Sequence, residues 1–181
     1  MKNILIILAD GFEEVEALVP IDVLRRVNYN VVIAGLDKKE ITSTHNIKIL
    51  CDDILDNQKD KMFDCVILPG GMPGTLNLRN SELVKNIILK HHQENKLIGA
   101  ICAAPSILEG LGLLKNKKAT SYPSFLNDEN TNKLEDKVVK DENIITSRGA
   151  GTAFDFAYKI LETLGGNVNS LKDTMMFKES N

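Results

Sequence analysis

Cys102, Glu16 and Arg148 are the side chains whose types and settings best suit chemistry in this chain. Cys102 closes an apolar run over residues 96–101 and is followed by Ala103, Ala104 and Pro105. That order reads as a sharp strand-to-helix turn opened by proline, the layout of a nucleophile elbow without the GxSxG spelling. A thiol there faces the positive end of a helix dipole, which favours thiolate and lowers the thiol pKa. The small Ala103 leaves its backbone N–H open to a developing oxyanion. The plain alternative is a small core residue at a strand end.

Gly70 and Gly71 close another apolar run, residues 63–69. They serve either an ordinary turn or close backbone approach to a ligand, with the Gly71 N–H as a second oxyanion donor. No GxGxxG follows the first strand, which argues against a dinucleotide fingerprint. Glu13, Glu14 and Glu16 open a helical pattern, and the first two suit the helix dipole. Glu16 lies beside the apolar stripe, where a carboxyl is held protonated and can exchange a proton with a thiolate or substrate. Arg148, next to Gly149, suits an anion, a backbone carbonyl or a surface ion pair. His91 and His92 sit in a lysine-flanked helix tail that reads as a solvated face. His45 lies in a turn and has no assignable relation to Cys102. Cys51 and Cys65 read as core residues, Met175 and Met176 as core filler or partner surface. No metal-ligand cluster is visible, and no cofactor is expected.

These groups are far apart in the chain, so a scaffold must gather them. Residues 3–9 form an apolar, β-branched run of the kind buried on both faces of a parallel sheet. A helical pattern follows, with Pro20 expected to kink or divide it and Asn28 to stop it. A second strand at 30–36 completes β-α-β, and residues 41–51 suggest a hairpin turning near His45 and Asn46. Strands at 63–69, 96–101 and 143–147 follow, with a helix opening at Asn80 and Ser81. Residues 115–142 are polar and lysine-rich, with a short strand at 119–122. Thr152 and Asp155 suggest a capping box for a helix ending at Gly165 and Gly166. The tail suggests an edge strand near 174–177. Strands alternating with helices predict a doubly wound α/β fold, a mostly parallel sheet with helices on both faces. Five loops should meet beyond its strand ends: 10–16, 35–37, 70–74, 102–105 and 148–152.

Bulk properties agree. The chain has 181 residues, 43% hydrophobic and 26% charged, enough for one domain over residues 1–181 with an adequate core. A net charge of −3 carries no basic surplus for nucleic acid. No apolar run approaches the ~20 residues of a membrane span, and nothing near Met1 has a signal-peptide layout. Three scattered cysteines without CxxC suit free thiols in a reducing compartment. A cytoplasmic, soluble protein is expected.

Four motifs in series then resemble the ThiJ/PfpI superfamily, in particular its DJ-one branch. They are residues 10–16 (DGFEEVE), 68–71 (LPGG), 100–105 (AICAAP) and 146–152 (TSRGAGT). The likeness covers essentially the whole chain. It implies a flavodoxin-like sandwich, a homodimer, and a reactive Cys102 hydrogen-bonded to a protonated Glu16. By the same likeness Gly70, Gly71 and Ala103 line an oxyanion site, Arg148 orders the loop near it, and Cys51 lies near a dimer interface. The activities implied are glutathione-independent glyoxalase, deglycase repair of glycated adducts, and redox-linked chaperone action. The substrate would then be a small α-oxoaldehyde such as methylglyoxal. The alternative is a redox sensor in which Cys102 is oxidised to sulfinate with little turnover. Tyr122 stands where many members carry histidine, and a phenol is a poorer proton shuttle than imidazole near neutral pH. His45 or Asn46 stands where the animal protein has arginine. Ala103 replaces the histidine that follows the nucleophile in the protease branch.

Overall fold

The computed structural model describes residues 1–177. Its strands are β1 (Asn3–Leu8), β2 (Asn30–Gly35), β3 (Glu40–Thr42), β4 (Lys48–Leu50), β5 (Asp53–Ile54), β6 (Cys65–Leu68), β7 (Leu97–Ile101), β8 (Lys118–Ala119), β9 (Asn132–Lys133), β10 (Val138–Asp141) and β11 (Ile144–Ser147). Its helices are α1 (Glu14–Arg26), α2 (Gly74–Asn80), α3 (Glu82–Gln93), α4 (Pro105–Gly110), α5 (Ala153–Thr163) and α6 (Val168–Thr174). Seven strands pair in the order β10-β11-β7-β6-β1-β2-β5, all parallel except the β10–β11 pair. This is the mostly parallel, flavodoxin-like α/β architecture expected.

Alternation along the central strands builds two cores, one on each face. Ile4, Ile6, Leu8 and Ile67 pack with Ala17, Val23, Phe156 and Ile160, beneath α1 and α5. Leu5, Ile7, Val66 and Leu68 pack on the other face with Leu78, Val84, Ile88 and Ile107, beneath α2, α3 and α4. Truncating one such side chain to alanine costs about 2–5 kcal/mol, and Phe156 is fully buried. The chain turns from β1 to β2 on one side and later to β6 on the other. The strand order therefore switches direction beside β1, the place where an open α/β sheet forms its crevice.

Several elements differ from the sequence-based expectation. Pro20 lies inside α1 without dividing it, because its buried ring packs within a helix already anchored by Ala17, Val23 and Leu24. Residues 74–80 form α2, a helix too short to show a period. The polar 115–142 stretch supplies β8, β9 and β10. The capping box at Thr152 is not formed: its hydroxyl donates to the Gly149 carbonyl at 2.9 Å and meets Ser147 Oγ at 2.7 Å. The tail is the helix α6, capped by Asn167, instead of an edge strand. The glycine stop of α5 is as expected, with Gly165 at φ +87° and the Gly166 N–H on the Leu161 carbonyl. Met175 packs on the core and Met176 is exposed.

His91 is the clearest correction among the polar residues. It is buried, accepting from the Phe63 N–H at Nε2 (3.0 Å) and donating from Nδ1 to the Ile87 carbonyl (2.7 Å). Burial holds its pKa below the ordinary histidine value. A base whose folded pKa is depressed gives stability that is present above about pH 6.5 and lost as pH falls below it. We expect His91→Leu to lose about 1–3 kcal/mol at pH 7.5 through the orphaned Phe63 N–H. Urea unfolding should show the gap to wild type narrowing as pH falls towards 5.

Candidate active site

Four loops meet above the carboxyl ends of β1, β6, β7 and β11. The fifth expected loop, at 35–37, instead lines a neighbouring cavity with Asp10 and Asn77. Cys102 follows β7 with φ +64°, a left-handed conformation that a non-glycine residue adopts only when its surroundings hold it. They do so here: its N–H donates to the Ser147 carbonyl and its own carbonyl accepts from the Tyr122 N–H, both at 2.9 Å. The elbow predicted from composition is thus a real strained turn, pinned by β11 on one side and by the 120–123 segment on the other.

Glu16 reaches the same point from α1 and is 1% exposed. Its Oε2 accepts from the Gly70 N–H at 2.8 Å, and the carboxyl is hydrogen-bonded to Cys102. The Gly70 carbonyl in turn accepts from the Glu13 N–H at 2.9 Å, so the glycine loop and the start of α1 are tied twice. The backbone N–H groups of Gly71 and Ala103 approach the Cys102 sulfur. The Gly71 and Ala103 N–H groups therefore both face the sulfur. Gly70 differs from the expectation, because its N–H is already committed to Glu16. No side chain fits at Gly70: a Cβ would stand 2.7 Å from both the Cys102 Cβ and Glu16 Oε2. Gly71, at φ +92°, has no room either, with the Glu13 nitrogen 2.4 Å from where its Cβ would be.

The electrostatics also correct the sequence argument. Burial first, then the charge and hydrogen bond of Glu16, push the Cys102 thiol up to about 12 rather than down. Helix α4 begins only at Pro105 and is six residues long, so its dipole is a weak counterweight. Burial likewise raises the Glu16 carboxyl to about 7. The two groups share one site, so their first proton belongs to the pair. While Glu16 keeps that proton it donates to sulfur, its repulsion disappears, and the Gly71 and Ala103 N–H groups favour thiolate.

Tyr122 is 52% exposed and closes one side, its ring 3.6 Å from where a Cβ on Gly149 would lie. That same point is 3.9 Å from Glu16 Oε1 and 4.0 Å from Cys102 Sγ, so the missing side chain of Gly149 leaves the sulfur open. Sequence reasoning gave Gly149 no role; a glycine after an arginine in a loop looks like any turn. Arg148 lies beside the site, lining a cavity of about 290 Å³ with Tyr122, Lys133 and Glu135. A larger cavity of about 590 Å³, lined by Lys2, Asp64, Lys96 and Lys140 among others, lies away from Cys102 near the other strand ends. Cys51, at 3% exposure, and Cys65 are both buried, as their reading as core residues expects.

Glu13 and Glu14 do more than serve the helix dipole. The charge of Glu13 contributes to raising Glu16, and Glu14 is buried with Oε1 2.9 Å from His45 Nδ1. Glu13, Glu14 and His45 each bring a ligand atom within 4.8 Å of the others, a grouping able to hold a metal ion that the sequence did not signal. Among the described residues no helix is long and apolar enough to cross a membrane.

Comparison with known proteins agrees with this geometry. The profile of the DJ-1/PfpI family matches residues 2–163. The chain is 43% identical over 169 residues to the protein dj-1beta of Drosophila melanogaster, covering 91% of this chain and 90% of that one. The crystal structure of that fly protein superposes with a TM-score of 0.92, at 40% identity over 98% of this chain and 99% of that one. Protein DJ-1 homolog B of Arabidopsis thaliana is 41% identical over 175 residues, 94% of this chain but 40% of that longer protein. The glutathione-independent glyoxalase DJR-1.2 of Caenorhabditis elegans is 36% identical over 175 residues, 94% of each.

The paired titration gives a direct test. We expect the rate of Cys102 alkylation by iodoacetamide, followed by mass spectrometry, to rise with a midpoint near pH 7. In Glu16→Gln the midpoint should move away from pH 7, since the carboxyl that shares its proton with sulfur is gone and the thiol titrates alone. A step of unchanged midpoint in that variant contradicts the pairing.

Proposed function

Because this chain belongs to the DJ-1/PfpI family, we propose that it is a cysteine-dependent enzyme acting on small α-oxoaldehydes such as methylglyoxal, or on their adducts. The observation that carries this reading is the Glu16–Cys102 hydrogen bond beneath two backbone donors, in a pocket Gly149 leaves open. In the proposed cycle the Cys102 thiolate adds to the aldehyde carbon while Glu16 gives its proton to the oxygen, forming a hemithioacetal. The Glu16 carboxylate then takes the proton from that carbon and returns it to the neighbouring one through an enediolate, while the hydroxyl proton passes from the first oxygen to the second, so that a thioester carbonyl forms. The Gly71 and Ala103 N–H groups hold the developing negative oxygen, an effect worth about 3 kcal/mol per donor. Water hydrolyses the resulting thioester, releasing lactate and restoring the thiolate. No redox partner is consumed.

Tyr122 covers the side of the pocket, and Arg148 orders the loop that carries Gly149. A proton acceptor other than Glu16 is not needed in this scheme, so the absence of a family histidine at Tyr122 is compatible with turnover. The name of the Caenorhabditis relative supports the glyoxalase form of the reading. We assign the protein to the cytoplasm, where its free thiols would stay reduced, as a single functional unit and a homodimer. The exposed Val15 and Leu18 of α1, Leu50 of β4 and Phe154 of α5 supply apolar surface for the dimer, which requires about twice 20.0 kDa by light scattering.

Lactate formation from methylglyoxal without glutathione tests the enzyme. Cys102→Ala should abolish it and Glu16→Ala should lower kcat at least about 100-fold, both remaining folded. Full turnover in either variant sinks the mechanism. A second reading, an oxidation sensor, is favoured by one observation: Cys102 reaches solvent while Cys51 and Cys65 are buried. Under mild peroxide Cys102 should gain two oxygens first; sensor function without enzyme activity would pair that result with no lactate from the wild type.

A further inference from the structure

We infer that Arg79 is a positioning residue for the Cys102 thiolate, acting through Ser106; this rests on the reading of Cys102 as the reacting thiol. Arg79 closes α2, and its Nη2 donates to Ser106 Oγ on α4. Ser106 Oγ donates in turn to the Ala103 carbonyl at 2.6 Å, which also accepts from the Ser106 N–H at 3.2 Å. A hydroxyl has a single proton. With that proton spent on Ala103, Ser106 can only accept from α2, and a guanidinium can only donate. The direction of the chain from Arg79 to Ala103 is therefore fixed, and its members polarise one another.

Ala103 is the residue whose own N–H faces the Cys102 sulfur. It follows a residue held at φ +64°, so its orientation must be set from outside that turn. Its carbonyl is gripped by Ser106 while its N–H serves sulfur. A neutral donor would staple α2 to α4 as well as a cation would. Yet Arg79 has no carboxylate partner among the described residues, and its Nε is buried without an acceptor. We argue that a positive charge on this half-buried side chain, which lacks an ion-pair partner among the described residues, favours the anion of the Glu16–Cys102 pair.

The test is the pH profile of Cys102 alkylation in wild type, Arg79→Met, Arg79→Lys and Ser106→Ala, each with its melting temperature. Arg79→Met should raise the midpoint by about half a unit to one unit, so the rate at pH 6 falls about three- to tenfold. Arg79→Lys should restore most of the wild-type midpoint, and Ser106→Ala should shift it the same way as Arg79→Met. A midpoint within about 0.2 units of wild type in folded Arg79→Met overturns the proposal, leaving only a helix staple. If Arg79→Met does not fold, Arg79→Gln, which keeps a donor and loses the charge, is judged by the same criterion. Alkylation needs no aldehyde turnover, so loss of the methylglyoxal reading and loss of this one are seen separately.

Discussion

A carboxyl and a thiol share one buried site in this protein, and most of the architecture around Cys102 exists to make that tolerable. Two acidic groups in contact, both shielded from water, cannot both ionise. The fold answers with backbone dipoles rather than with a cationic partner in contact. The Gly70 N–H holds Glu16, and the Gly71 and Ala103 N–H groups hold the sulfur. Each donor must approach within hydrogen-bond distance, which is why glycine occupies 70 and 71 and why a Cβ there would collide.

The same interaction has a cost in stability. An acid whose folded pKa is raised contributes stability below its ordinary value and loses it as pH rises through the folded one. For Glu16 that window runs from about 4.5 to about 7, so the native state pays for its charged pair under neutral conditions. The two hydrophobic layers on either face of the sheet supply what offsets it.

Much of this was legible in the chain. Continuous apolar runs announced β1, β6 and β7, because strands buried on both faces must be apolar at every position. Cys102, Glu16, Gly71 and Ala103 were found from residue type and place, and they do converge. What escaped was whatever depends on tertiary partners. His91 looked solvated because its lysine neighbours are, yet the Phe63 N–H claims it from another element. The thiol was expected low because a following helix was assumed to matter; its acidity is set instead by burial and by a residue 86 positions away. Gly149 was read only as a neighbour of Arg148 within a motif, since empty space above a sulfur leaves no trace in composition. Thr152 had the right spacing for a capping box, but Ser147 and Gly149 offered its hydroxyl nearer partners.

The site draws its parts from segments that follow β1, β6, β7 and β11, so residues near 16, 70, 102 and 149 must all be in place at once. These contacts span most of the chain, and assembling such a parallel core is slow compared with local helix formation. No fragment holding the cysteine alone would contain both its acid and its donors. The paired titration of this one sulfur is therefore a late reporter of folding, appearing when the strand order is complete and reverting to that of an ordinary thiol when any of its strands comes loose.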